Sequence, residues 1–123
     1  MTWAVEFYRD AEGSCPVADF IERLPTKDAA KIIRMFELLE QFGLQLGQPH
    51  VTKLEGQSGL WELRVKRASN IFRFFYVAWT GQMFLVLHGF RKKEPRTDRR
   101  QIAKAVTRLA EYQERVRVSE RNR

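Results

Sequence analysis

The sequence predicts an α+β domain in the order β-α-α-β-β-β-α, with helices packed on a twisted antiparallel sheet. Three observations predict it. Apolar residues recur at helical spacing from Lys27 to Phe42 and again from Ile102 to Gln113. Between these stretches, from Leu60 to Arg91, the period shortens to two, as a strand requires. Thr80-Gly81 divides the last two alternating runs where a tight hairpin turns.

The elements follow in order. Trp3, Val5 and Phe7 alternate with Ala4 and Glu6, an opening strand over Thr2 to Tyr8. Ser14 is placed to cap a short helix from Cys15 to Arg23, with Pro16 in its first turn. Pro25 ends that helix and Thr26 caps the next, whose stripe is Ala29, Ile32, Ile33, Phe36 and Leu39. Gly43 stands where a glycine closes a helix, and residues 43–58 read as loop. Leu60 to Lys66, Ile71 to Trp79 and Met83 to Arg91 form a three-stranded meander. A basic linker over Arg91 to Arg96 leads to a last helix capped by Thr97, with Ile102, Ala105, Val106, Leu109 and Gln113 as its stripe. Residues 1–115 are expected to form one domain and 116–123 a frayed basic tail.

The chain has 123 residues, 44% of them hydrophobic, enough for a single core without covalent staples. One cysteine, Cys15, excludes an internal disulfide and a cysteine-based zinc site. His50 and His88 have no ligand spacing around them, so neither a metal nor another cofactor is expected. Glu6, Arg9 and Asp10 near the start are unlike a signal peptide, and no apolar run approaches the ~20 residues that span a bilayer. A cytoplasmic protein with no membrane partner is expected.

The net charge of +7 is unevenly distributed. Residues 1–62 hold six Lys/Arg against ten Asp/Glu, a balance of −4; residues 63–123 hold sixteen against five, a balance of +11. Positive charge concentrated in one half of a fold points to phosphate or to an acidic protein.

Among individual residues Arg73 stands out, because it interrupts the aromatic run Ile71-Phe72-Arg73-Phe74-Phe75-Tyr76. A buried guanidinium needs a partner, which is either a phosphate or the carboxylate of Glu62 on the neighbouring strand. Glu62, Arg64 and Lys66 share one strand face; Glu62 either orients an arginine or acts as a base. His88 is either a hydrogen-bonded structural residue or a catalytic one. Arg91, Lys92, Lys93, Arg96, Arg99 and Arg100 make the densest basic cluster. Most of the strand aromatics are expected in the core, and Phe90 beside the lysines is the candidate for stacking on a base.

Four stretches taken together carry a family likeness: Lys53-Leu54-Glu55-Gly56; Leu60-Trp61-Glu62-Leu63-Arg64-Val65; Phe72-Arg73-Phe74-Phe75-Tyr76; and Leu87-His88-Gly89-Phe90-Arg91-Lys92-Lys93. In order and spacing they resemble the RelE/ParE toxin superfamily, and within it the phage-derived HigB-like branch. The resemblance covers residues 2 to about 112. It implies a RelE-like fold and the toxin of a type II toxin–antitoxin pair, with a helix-turn-helix antitoxin as partner. It also implies a metal-independent endoribonuclease acting on mRNA, with the ribosome as a possible setting. Such an enzyme lets the RNA 2′-OH attack the adjacent phosphorus, so the site must neutralise the phosphate and move two protons. Arg64, Arg73, Glu62 and His88 are the catalytic candidates on this reading. Lys53, Phe90, Lys92, Lys93 and Arg96 are the RNA-binding ones. Two alternatives remain on the same fold: a ParE-like toxin that poisons DNA gyrase, and a nucleic-acid-binding domain without catalysis.

Overall fold

The computed structural model describes residues 2–56, 59–93 and 99–122. Its order is β1 (Ala4–Phe7), α1 (Pro16–Glu22), α2 (Thr26–Phe42), a 3-10 turn (Gly43–Gln45), β2 (Val51–Lys53), β3 (Trp61–Arg67), β4 (Asn70–Trp79), β5 (Met83–Arg91) and α3 (Arg99–Arg121). The fold class is the expected α+β, and β3, β4 and β5 form the expected antiparallel meander. The five strands lie in the order β1-β5-β4-β3-β2, with β1 joining β5 in parallel.

Two boundaries differ from the sequence reading. Val51–Lys53, read as loop, pairs with β3 as a short edge strand. Three residues are too few to display alternation, so tertiary pairing alone defines them. The last helix runs through Arg121, so most of the stretch read as a frayed tail is helical. Arg115 pairs with Glu111 and Arg117 with Glu114 on its exposed side, supporting the helix where no apolar stripe does. The caps differ too: Cys15 and Pro25, rather than Ser14 and Thr26, precede α1 and α2. Thr97 lies outside the described residues, as does Arg96.

Strand alternation sorts the core into two layers. Leu63, Val65, Phe72, Phe74, Phe84 and Val86 point toward α1 and α2 and meet Val17, Ile32, Phe36 and Leu39. Phe75, Val77, Leu85 and Leu87 point toward α3 and meet Ala105 and Leu109. Gly43 ends α2 with a φ of 58° and its N–H donates to the Leu39 carbonyl. A Cβ there would come within 2.5 Å of the Trp3 ring, so close packing as well as the turn demands glycine. No helix among the described residues is long and apolar enough to cross a membrane.

Candidate functional site

The α3-facing side of the meander is a grid set by register. Arg64 on β3 lies opposite Arg73 on β4, which lies opposite Phe90 on β5. Two residues along, Glu62 lies opposite Phe75, which lies opposite His88. In the other direction Lys66 pairs with Ile71, whose carbonyl accepts the Lys92 N–H. Six of the expected site residues, Glu62, Arg64, Arg73, His88, Phe90 and Lys92, therefore share one patch. Strand alternation brings together residues nearly thirty positions apart in the sequence.

Arg73 and Glu62 form the ion pair that was one of the two readings of Arg73. Nη1 donates to the Glu62 carboxylate at 3.2 Å, and both side chains are largely buried, at 12% and 7% exposure. One bond does not exhaust the guanidinium: Arg73 Nε is buried with no partner among the described residues. Arg64 and Arg73 stand directly across from each other, a like-charge juxtaposition that strains a bare sheet. Lys92 joins them. Burial holds its ammonium below the ordinary lysine range, the charges of Arg73 and Arg64 push the same way, and Glu62 opposes them.

His88 is held in place by α3. The β4–β5 register shifts between Phe75 and Tyr76, so Leu87 is an extra residue on β5 and both Leu87 and His88 turn toward α3. Arg108 Nη1 donates to the bulged Leu87 carbonyl at 2.9 Å and to His88 Nδ1 at 3.1 Å. A guanidinium has no lone pair to offer, so Nδ1 accepts and the ring proton sits on Nε2, which donates to Gln101 Oε1. Burial lowers the His88 pKa; the Gln101 bond opposes this, and Arg108 and Lys104 add to it. Both ring nitrogens of His88 are thus engaged by α3 side chains. Its ring stacks on Phe90, 5.6 Å between centroids at 18°, which fixes Phe90 beside Arg73.

Other expected residues fall elsewhere. Lys53 lies on the opposite face, its ammonium 6.0 Å from the centroid of Trp61, which packs on the α1/α2 core. Lys93 is exposed one residue beyond Lys92. Arg108 and Gln101 were not among the sequence candidates. Their separation of seven places them on one face of α3, but nothing in the sequence announces a bulge for them to grip.

A family model, Phage derived protein Gp49-like (DUF891), matches residues 19–110. That span covers most of the chain and contains the whole grid. The protein belongs to this family, a family of RelE-like toxins. A solved structure titled as an archaeal RelE-RelB complex from Pyrococcus horikoshii OT3 is 20% identical, with a TM-score of 0.49 over 79% of this chain and 100% of that one. No curated protein matches the sequence.

Proposed function

We propose that the protein is the ribonuclease of a type II toxin–antitoxin pair and that it cleaves mRNA by attack of the RNA's own 2′-OH. The observation that carries this reading is the Arg64–Arg73 pair, two arginines in register on neighbouring strands of a half-covered sheet face. A conflict kept in a fold is resolved at a functional site, and a phosphodiester between the two would turn repulsion into bidentate binding.

Each neighbour then has a task. Arg64 and Arg73 hold the non-bridging oxygens and stabilise charge as phosphorus becomes five-coordinate. Glu62 fixes the angle of Arg73. Lys92, whose charge lies close to those of Arg64 and Arg73, adds a third cation to hold the RNA backbone. Phe90 offers a face to a neighbouring base, and Lys93 and Arg96 guide the RNA backbone. Lys53, on the opposite face, drops out of this set. The partner that silences the site is a separate antitoxin, drawn to a chain of net charge +7.

The test is brief induction in a bacterial host with parallel mapping of message ends and chromosome breaks. New RNA ends before any DNA damage are expected. DNA breaks with intact message would replace this reading with gyrase poisoning, and neither would leave a binding domain without catalysis.

A further inference from the structure

The side of α2 turned away from the sheet is bare. Ala30, Arg34, Glu37, Leu38 and Gln41 line an open groove of about 430 Å³ along it, and Ile33 beside them is 52% exposed. Neither Arg34 nor Glu37 has a hydrogen-bond or ion-pair partner among the described residues. On α3, Arg117 pairs with Glu114 at the same spacing of three. There the carboxylate comes first, the order a helix favours, whereas on α2 the arginine does. Two opposite charges therefore stand on one exposed face, each open to a partner outside the chain.

Ala30, Arg34, Glu37 and Gln41 follow one another at spacings of four, three and four, the repeat of a seam that two helices share. This seam complements itself when reversed. About a two-fold axis between residues 35 and 36, an antiparallel copy of α2 brings Arg34 level with the partner's Glu37, and Glu37 level with the partner's Arg34. The same axis sets Ala30, with the shortest side chain of the seam, against the long Gln41 of the other copy. Ile33 and Leu38 flank the seam on either side. Charge does not oppose the approach: α2 holds Lys27, Lys31 and Arg34 against Asp28, Glu37 and Glu40, a balance of zero, while the excess of +11 lies in residues 63–123.

We infer that the protein forms a two-fold dimer through α2, held by two reciprocal Arg34–Glu37 ion pairs between copies. The dimer does not depend on the toxin reading. α2 covers the sheet face of Leu63 and Phe74, and Arg64 and Arg73 lie in register on the opposite face. Pairing through α2 therefore leaves both phosphate sites open, on the outer sides of the assembly. A contact one helix long is at the small end of specific interfaces, so the dimer dissociates on the order of 10 µM.

The experiment is sedimentation of the full chain from well below to well above that concentration, beside Arg34→Glu, Glu37→Arg and an equimolar mixture of the two variants. The parent should pass from monomer to dimer. Each variant alone sets like charges against each other at both contacts and should weaken the dimer by about tenfold. In the mixture a carboxylate again faces a guanidinium at both contacts, so a mixed dimer should form with the parent's affinity. Both positions are exposed, and the variants should melt as the parent does. Should either melt early, Arg34→Gln, which removes a charge without reversing it, is the next variant and should weaken the dimer by a smaller factor. A parent that stays monomeric throughout overturns the dimer and leaves the face to a different protein. A dimer indifferent to both variants, or a mixture no more associated than its components, overturns the Arg34–Glu37 contact.

Discussion

Toward α1 and α2, β4 presents Phe72, Phe74 and Tyr76, all buried. One residue along, toward α3, the same strand presents Arg73 beside Phe75. The first face is filled by rings: Phe74 meets Phe36 at 5.0 Å and Phe20 at 6.0 Å between centroids. The second is filled by Phe75, Val77 and Leu87 where α3 packs on β4 and β5. Beyond that cover it becomes a patch of Glu62, Arg64, Lys66 and Lys92. One face is therefore organised for stability, while part of the other gathers cations that the single carboxylate of Glu62, paired with Arg73, offsets only in part.

The contrast predicts effects of opposite sign. Phe74→Ala on the filled face should cost about 3–5 kcal/mol, as expected for deleting a fully buried ring; urea unfolding reads this directly. A cost near zero would mean that this face is not the principal core.

A smaller effect belongs to the α3 latch. Because His88 is held neutral, its folded-state pKa lies below the ordinary ~6.5. Above that value its contribution is fully present. As pH falls through ~6.5 toward the lower folded-state pKa, the unfolded chain takes up the proton first and stability is lost. Melting temperatures from pH 8 to pH 5 should show that decline, and His88→Gln should flatten it. An equally steep decline in the variant would remove His88 as its source.

Smallest, and opposite in sign, is Arg64→Ala. Relieving the like-charge pair should stabilise the fold by a few tenths of a kcal/mol, at most about 1, while RNA cleavage is lost. A destabilised variant would mean that Arg64 is a structural partner rather than half of a phosphate clamp.

The filled face was largely legible in the sequence, since period-two and helical spacing are properties of the chain itself. So was the membership of Glu62, Arg64 and Arg73 in one patch, because alternation on β3 and an arginine among aromatics both mark the face. Two features were not legible. The bulge that turns Leu87 and His88 to the same side adds one residue with no compositional signature, and with it went the roles of Arg108 and Gln101. Short β2 is defined only by its partner, so the far-face position of Lys53, which the family resemblance had placed among the RNA-binding residues, could not be read from the sequence.

The central claim is that Arg73 binds a phosphodiester undergoing 2′-OH attack, and the chemistry of the cut ends tests it most directly. Arg73→Lys keeps the charge and can still pair with Glu62, so it should remain folded, but it loses the planar fork. Fragments made on brief induction of the parent chain should carry 2′,3′-cyclic phosphate and 5′-hydroxyl ends, and Arg73→Lys should reduce their number severely. Fragments with 5′-phosphate ends, or undiminished cutting by Arg73→Lys, would contradict the account.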